Sequence, residues 1–430
     1  MKYYSTNKQV PEVSFEKAIF QGLPDDNGLY MPKTIQPLSA EFFENIHEMT
    51  LHDIAYEVAK KFIEDEIPER DLRGIVEGTL DFDLPLVEVE KGIYALELYH
   101  GPTCAFKDVG ARFLARCLSY FSRQSDKKAT ILVATSGDTG SAVASGFLGM
   151  KNINVVILYP KGKISKIQEQ QLTTLGENIT ACEVEGTFDD CQKMVKEAFL
   201  NLELKAKYNL TSANSINMAR LVPQSFYYFW TYAMLGRDRD VVISVPSGNY
   251  GNLTAGLLAK RMGLPITQFI ASANANDIVP SYLRTGQFEP RKSVETISNA
   301  MDVGNPSNFY RMNDLYGSSV ENFRSEIKGF TYSDEQTGKT IKKVYGDTGY
   351  LLDPHGAVGY LGLKEYLTTS DAVGVFLETA HPAKFLDIVE PIIGEKLEIP
   401  QRLQDYIERQ KVAIEIDADL EQLESILERL

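Results

Sequence analysis

The sequence has few cysteines, few histidines and no long apolar run. Its 430 residues include four cysteines, none of them in a C-x-x-C pair, and five scattered histidines. Four cysteines are too few for the disulfide framework of a small secreted domain, and without ligand spacing neither residue type predicts a metal site. The apolar runs are far shorter than the roughly 20 residues that a membrane-spanning helix requires.

Positive charge is also scarce. Lysine and arginine number 44 against 59 acidic residues, which gives a net charge of -15 at pH 7. Binding to nucleic-acid phosphates needs a clustered basic surface, so this balance argues against that class of function. Residues 1–7 lack the apolar core of a signal peptide. We therefore expect a cytoplasmic protein that binds neither nucleic acid nor membrane.

The remaining composition is that of a globular protein. Hydrophobic residues make up 43% and charged residues 24%, with 31 glycines, 18 prolines and no biased tract. These values exclude a disordered, collagenous or coiled-coil chain. The length predicts two or three domains with a substantial core.

From about residue 128 onward, short apolar runs alternate with helical patterns, which is typical of an α/β fold with a mainly parallel sheet. The pattern predicts strands over 129–135, 152–159, 178–185, 240–246, 266–272 and 373–379. Ser165 and Thr187 are predicted to cap the helices that follow two of these strands. The sequence therefore predicts two α/β lobes with a cleft between them.

Three other regions favour a structural interpretation. Amphipathic helices are predicted over 41–49 and 53–62, and a packing helix over 417–430. The polar segment 322–342 has no clear periodicity, which indicates an irregular insertion or a mobile surface segment.

Two glycine loops follow predicted strands and precede helices. Such a loop presents free backbone N–H groups and the positive end of a helix dipole, so an anion can bind there. The loop 247–252 fits this description but is neither a P-loop nor a dinucleotide fingerprint, and taken alone it is more often a tight turn without a ligand. The loop 135–140, rich in hydroxyls, is compatible equally with carboxylate binding and with helix capping by Ser136 or Asp138.

Lys107 lies in a stretch that contains Gly101, Pro102 and Phe106. If the surrounding turn buries the amine, its pKa falls and the amine becomes available for Schiff-base chemistry. A single lysine in such a setting is otherwise a surface or salt-bridged residue. The residues alone leave both interpretations open.

Several motifs in a fixed order indicate a family. The run Phe106-Lys107-Asp108, together with Ser136-Gly-Asp-Thr-Gly140 and Ser247-Gly-Asn-Tyr-Gly251, resembles pyridoxal-phosphate enzymes of fold type II. Within that group the chain resembles the threonine synthases of the longer bacterial and fungal type. The further segments that carry this resemblance are 15–24, 28–32, 98–103, 214–220 and 378–385.

The resemblance implies a fold and a division of the chain. We expect two doubly wound α/β lobes with mainly parallel sheets and a mostly helical N-terminal region. The predicted boundaries are 1–95 for the N-terminal region, 96–225 for the lobe with Lys107, and 226–430 for the larger lobe.

The resemblance also implies cofactor-binding residues. Lys107 would form the Schiff base with pyridoxal 5'-phosphate and act as acid and base, while Thr379 would contact the pyridine nitrogen. Asp138 would lie near the ring oxygen, although a carboxylate there is repulsive unless one of the two groups keeps a proton. The residues that would hold the cofactor phosphate are Ser247, Gly248, Asn249, Tyr250, Gly251 and Asn252.

Two further groups would bind the substrate. Thr135, Ser136 and Thr139 would hold its α-carboxylate. The residues that would receive its phosphate are Asn214, Ser215, Asn217 and Arg220, with Lys384 and His381 as further candidates. Arg220 suits bidentate phosphate binding, with a surface ion pair as the structural alternative, and Lys384 and His381 fit the packing of a turn equally well.

The implied activity is that of a carbon–oxygen lyase acting on phosphate. A threonine synthase converts O-phospho-L-homoserine and water to L-threonine and phosphate, and the chain would act as a monomer or homodimer on this small substrate. The alternatives are a phospho-lyase that releases 2-oxobutyrate from the same substrate, a serine/threonine dehydratase, and a binding or regulatory protein that keeps the fold without catalysis. The phosphate segment argues against the dehydratase, and Lys107 against the non-catalytic protein.

Overall fold

The computed structural model describes residues 1–123, 128–236 and 239–430. Their strands are β1 Tyr3–Ser5, β2 Tyr30–Pro32, β3 Leu86–Glu90, β4 Ile93–Glu97, β5 Ala129–Ala134, β6 Ile153–Pro160, β7 Ile179–Glu185, β8 Leu210–Ser212, β9 Val241–Pro246, β10 Gln268–Ala273, β11 Ile327–Thr331, β12 Val373–Glu378 and β13 Ile414–Asp417.

The helices of the first half are α1 Phe15–Gln21, α2 Ala40–Asn45, α3 Leu51–Ile63, α4 Glu69–Thr79, α5 Lys107–Ser122, α6 Asp138–Phe147, α7 Lys166–Thr173, α8 Phe188–Leu200, α9 Leu202–Tyr208 and α10 Met218–Leu221. Those of the second half are α11 Phe226–Leu235, α12 Gly251–Arg261, α13 Ile278–Thr285, α14 Phe309–Leu315, α15 Val320–Glu326, α16 Asp334–Thr348, α17 Pro354–Leu367, α18 Leu386–Ile393, α19 Gln401–Ile407 and α20 Leu420–Leu427.

The larger sheet has six strands in the order β11-β10-β9-β12-β4-β3. Its neighbours are parallel except for the antiparallel pair β3 and β4. The central strands β9 and β10 are buried along their whole length, because helices cover both faces of the sheet. This explains why neither strand contains a charged residue or alternates between apolar and charged positions.

The smaller sheet has five parallel strands in the order β13-β7-β6-β5-β8. Two of the helices that cover it begin at the predicted caps. The Ser165 and Thr187 side chains each accept a hydrogen bond from the backbone three residues on, and each completes a capping box. Two sheets that are mainly parallel, each covered by helices, confirm the predicted α/β fold class.

Strand pairing crosses the predicted domain boundaries. The last strand of the chain, β13, pairs with β7 of the smaller sheet, although residues 226–430 were expected to form the other lobe. Strand β4, at the end of the predicted N-terminal region, pairs with β12 in the larger sheet. The predicted division of the chain therefore does not assign every strand to the sheet that it joins.

The segment 322–342 differs from the expectation of an irregular or mobile insertion. It forms the end of α15, the strand β11 and the first part of α16. Strand β11 is the edge of the larger sheet and pairs in parallel with β10. Its polarity reflects this exposed edge position, because only some of its residues face the core.

The topology brings functional loops together. The strands β5, β9 and β12 each end at the carboxyl edge of their sheet, and the loops 135–137, 247–250 and 379–381 follow them directly. In open parallel sheets this edge is where ligands bind. No helix among the described residues is long and apolar enough to cross a membrane, and these residues contain no cluster of His, Cys, Asp and Glu suited to a metal ion.

Candidate active site

A cavity of about 390 Å³ lies where these loops meet. Its wall includes the start of α5, the loops after β5, β9 and β12, the segment 214–220 and the loop 291–307. The predicted residues that line it are Lys107, Thr135, Ser136, Thr139, Asn214, Ser215, Arg220, Gly248, Asn249, Tyr250, Gly251, Asn252 and Thr379. The predicted residues outside the wall are Asp138, Asn217, Ser247, His381 and Lys384.

Lys107 is the first residue of α5 and is held in place by the preceding turn. The Phe106 N–H donates to the Thr379 carbonyl oxygen at 2.9 Å, and Ala105 forms a bridge with Ala380. Burial lowers the pKa of Lys107 to about 8; Asp138 opposes this shift, whereas Arg220 adds to it. An amine with a pKa near 8 has an appreciable neutral fraction at physiological pH, and the neutral amine is the nucleophile that Schiff-base formation requires.

The loop 247–252 approaches its surroundings closely. A Cβ on Gly248 would lie 2.8 Å from Met301 Cα and 2.9 Å from the Ala300 carbonyl oxygen, so only glycine fits there. Tyr250 has a φ of 58° and precedes α12, whose first two residues, Gly251 and Asn252, line the cavity. The Ser247 hydroxyl instead donates to the Val245 carbonyl oxygen at 2.9 Å, which leaves the glycines and backbone as the anion site.

The loop 135–140 is organised by one hydroxyl. Thr135 Oγ1 accepts hydrogen bonds from the N–H groups of Gly137 at 3.0 Å and Gly140 at 2.9 Å. Thr135 therefore shapes the turn, and Thr135, Ser136 and Thr139 all line the cavity. A hydroxyl-rich helix N-terminus of this kind can bind a carboxylate.

Asp138 is not among the residues that line the cavity. Its Oδ1 accepts a hydrogen bond from Gln168 Nε2 at 2.9 Å and forms an ion pair with Lys384. Burial acts to raise the pKa of Asp138, but the ammonium groups of Lys384 and Lys107 outweigh burial and keep the pKa below its ordinary value. The carboxylate is thus charged and already compensated.

The residues of the segment 214–220 differ in their position: Arg220 lies at the cavity wall, whereas Asn217 stabilises the local fold. Arg220 is buried at the cavity wall; its Nη1 donates to the Ala213 carbonyl oxygen, and no described carboxylate forms an ion pair with it. Burial lowers the pKa of Arg220 to about 10, so the group remains cationic at neutral pH. Asn217 instead caps α10 and donates to the carbonyl oxygens of Ile19 at 2.8 Å and Ser212 at 3.0 Å.

Several buried polar atoms in the wall have no hydrogen-bond partner within the described parts of the chain. They are Asn214 Oδ1, Arg220 Nε, Gln224 Oε1, Tyr250 Oη and Asn299 Oδ1. Buried polar groups are normally satisfied, so a cluster of exceptions indicates a polar ligand. Together with the buried, cationic guanidinium of Arg220, the cluster favours an anionic ligand.

Sequence patterns did not predict a role in the site for His355 or for the loop 291–307. His355 lies in the first turn of α17, lines the cavity, and accepts a hydrogen bond from the Ala300 N–H at 3.2 Å. Because Nε2 accepts, Nδ1 carries the proton and donates it to Asp353. The run Asp353-Pro354 is a helix-start signal, and it was the only pattern that could have drawn attention to this residue.

Comparisons with known proteins cover the whole chain. Residues 80–377 match the family described as pyridoxal-phosphate dependent enzyme, residues 2–80 match the threonine synthase N terminus, and residues 356–427 match the threonine synthase C-terminal domain. The chain is 45% identical to the threonine synthase of Haemophilus influenzae over 429 residues, with 99% of each chain covered.

Two solved structures of threonine synthases are similar to the whole chain. The crystal structure of threonine synthase from Escherichia coli is similar with a TM-score of 0.94 and 42% identity, and the match covers 100% of each chain. The structure of pyridoxal-phosphate-bound threonine synthase from Brucella melitensis has the same TM-score at 37% identity, covering 100% of this chain and 99% of the other.

Proposed function

The chain belongs to the threonine synthase family of pyridoxal-phosphate-dependent lyases, and we propose that it converts O-phospho-L-homoserine and water to L-threonine and phosphate in the cavity at Lys107. The observation that carries the proposal is the position of Lys107. Its buried amine, with a pKa lowered to about 8, lines the same cavity as residues of the segments 135–140, 214–220 and 247–252, which we expect to bind anions. A substrate with a carboxylate and a phosphate, bound to a phosphorylated cofactor, needs such an arrangement.

The residues fit the cofactor. Lys107 would hold it covalently, Gly248 to Asn252 would receive its phosphate on backbone N–H groups, and Thr379 would contact the ring nitrogen. Support comes from Gly248, where a Cβ would collide with the backbone of 300–301 and close the cradle. When bound, pyridoxal phosphate withdraws electrons from the substrate and so acidifies the protons on its α- and β-carbons.

Lys107 Nζ is the group that would move protons. Its pKa of about 8 is close to the working pH, where an amine can both accept and return a proton. A single amine beside the substrate α-carbon reaches the neighbouring carbons as well. We therefore assign to Lys107 the removal of protons before phosphate leaves and the return of a proton afterwards.

The substrate anions would bind at opposite ends. Ser136 and Thr139 would hold the α-carboxylate, and Arg220 with Asn214 and Ser215 would bind the phosphate. The charge of Arg220 is not compensated by a described carboxylate, so it favours a dianionic group. The same guanidinium would hold released phosphate while water adds to the β-carbon.

Asp138, Asn217, Ser247 and Lys384 would act indirectly. Each is buried and has hydrogen-bond or ion-pair partners within the protein. We assign them to holding the loops in shape. The monomeric or homodimeric state and the cytoplasmic location stay predictions, which light scattering and cell fractionation would test.

One assay tests the proposal. Purified protein loaded with pyridoxal phosphate receives O-phospho-L-homoserine, and phosphate, threonine and 2-oxobutyrate are quantified together. Equal amounts of phosphate and threonine, lost in Lys107→Ala, are expected. Phosphate with 2-oxobutyrate would instead make the protein a phospho-lyase, and no phosphate release would reject the proposed substrate.

A further inference from the structure

Arg311 is a charged side chain without a role in the reaction described above. It lies in α14 and its side chain is completely buried. Its guanidinium donates only to neutral acceptors, which are the carbonyl oxygens of Tyr30 (3.1 Å), Ser215 (3.3 Å) and Ile216, the Asn308 Oδ1 (2.8 Å) and the Met218 sulfur (3.5 Å). No carboxylate in the described residues forms an ion pair with it.

An uncompensated buried charge is costly for a folded protein. Arg261 illustrates the usual solution, because its Nη1 lies 3.0 Å from the Glu326 carboxylate. Burial lowers the pKa of Arg311 to about 9, so this guanidinium is nevertheless protonated at neutral pH. A charge retained in this way is expected where an anionic ligand compensates it.

The contacts of Arg311 lead directly to the cavity wall. Because Arg311 occupies Asn308 Oδ1, the Asn308 Nδ2 group is directed to the Asn249 carbonyl oxygen at 3.1 Å and, more weakly, to Ser215 Oγ at 3.4 Å. Asn249 Nδ2 also donates to Ser215 Oγ, at 2.7 Å. Ser215 and Asn249 both line the cavity, so the two predicted phosphate segments are joined at this hydroxyl.

This arrangement fixes the direction of the Ser215 hydroxyl. A hydroxyl has one proton and two lone pairs, and here two amide groups donate to the oxygen. The proton therefore remains available for donation to a ligand in the cavity. The Asn249 amide is held in this orientation, because its Oδ1 accepts hydrogen bonds from the Ser307 N–H and the Ser307 hydroxyl.

We propose that Arg311 is a positioning residue for the phosphate of the substrate. It orients Asn308 so that Ser215 donates to that phosphate, and its own charge favours a dianion in the pocket. The inference rests on the proposed function, in which segment 214–220 binds the substrate phosphate. The cofactor is the other source of a phosphate dianion, so the experiment must separate the two.

The experiment compares holoenzymes of the wild type, Arg311→Met, Arg311→Lys and Ser215→Ala. It measures KM and kcat for O-phospho-L-homoserine, the affinity for inorganic phosphate by calorimetry, and the Kd for pyridoxal phosphate by titration of the apoenzymes. Arg261→Met is the matched control, because it removes an arginine of the same lobe whose partner is Glu326.

For Arg311→Met we expect KM and the Kd for inorganic phosphate to rise roughly tenfold or more, because a charge-assisted interaction is lost. The same direction is expected for Ser215→Ala. Arg311→Lys should restore part of the phosphate affinity. The cofactor Kd should stay within about twofold of the wild type, and Arg261→Met should leave phosphate affinity unchanged.

Unchanged KM and phosphate affinity in Arg311→Lys and Ser215→Ala would overturn the inference, even if Arg311→Met failed to fold. A rise in cofactor Kd with unchanged KM would also overturn it, since the charge would then serve the cofactor. In both cases an active wild type leaves the proposed function intact. A wild type that releases no phosphate from the substrate would reject the proposed function and this inference together.

Discussion

Lys384 Nζ lies 2.6 Å from Asp138 Oδ1, and both side chains are buried. Lys384 also donates to the Thr103 carbonyl oxygen at 2.9 Å, next to the turn that carries Lys107. A carboxylate close to an anionic ring oxygen would be repulsive by itself. The ion pair removes that objection, because the two groups together are neutral and Asp138 faces Lys384 rather than the cavity.

This pairing predicts strongly non-additive substitutions. Lys384→Met leaves the Asp138 carboxylate buried without compensation and should cost about 3–5 kcal/mol of unfolding free energy. Adding Asp138→Asn should recover most of that loss, since the amide is neutral and of the same shape. Denaturant unfolding of both single variants and the double variant measures the coupling. Additive losses would show that the two side chains do not depend on each other.

The lowered pKa of Lys107 predicts that the rate of cofactor attachment depends on pH. With a pKa of about 8, the amine is half neutral near that pH, so the rate at which pyridoxal phosphate attaches to the apoenzyme should rise with a midpoint near pH 8. Absorbance spectra follow the attachment, and Lys107→Met should show none. A midpoint near the ordinary lysine value of 10.5 would contradict the burial of the amine.

The lowered pKa of Lys107 also makes the unfolding free energy depend on pH, and the direction of the shift sets the sign of that dependence. Between pH 8 and 10.5 the native apoenzyme binds fewer protons at Lys107 than the unfolded chain does. Stability linked to this residue therefore rises with pH through that window. The unfolding free energy of the wild-type apoenzyme, measured relative to Lys107→Met, should increase from pH 8 to 10.5 and change little below pH 7.

Gly248 predicts a selective loss of cofactor. In Gly248→Ala the new Cβ must displace the backbone of residues 300–301, which would distort the phosphate cradle. We expect a cofactor Kd raised roughly tenfold or more, as for a lost charge-assisted contact. The matched control is Gly346→Ala in the exposed part of α16, where a Cβ meets nothing within 4 Å. Gly346→Ala should keep cofactor affinity and gain up to about 1 kcal/mol of stability. If Gly248→Ala and Gly346→Ala changed cofactor affinity equally, the role of Gly248 in the phosphate cradle would be refuted.

Substitution of Arg220 should affect substrate binding, whereas substitution of Asn217 should affect stability. Arg220→Ala should raise KM at least about tenfold and lower the threonine formed per phosphate released, because the guanidinium would bind the substrate phosphate. Asn217→Ala should instead cost about 1–3 kcal/mol of stability, since its amide supports Ile19 and Ser212. Kinetics and thermal unfolding of both variants test this. An unchanged product ratio in Arg220→Ala would reject its part in water addition.

Local patterns were sufficient for the central strands of both lobes. The apolar runs of β5, β6, β7, β9, β10 and β12 lie within one or two residues of their predicted limits. Continuous apolar runs bounded by glycine or proline are typical of strands buried on both faces. By contrast, the aromatic helix α11 escaped prediction, because it is apolar on all sides and has no amphipathic period.

The sequence by itself determined the fold class, the family and the identity of Lys107, because these depend on local patterns and on motifs in a fixed order. Only the tertiary structure decided that Asp138 binds Lys384, that Asn217 faces Ile19, that β13 completes the smaller sheet and that Arg311 lies behind Ser215. Side-chain direction and strand partners are set by contacts between residues far apart in the chain. The free energy of burying a charge depends on those distant neighbours and leaves no local signal.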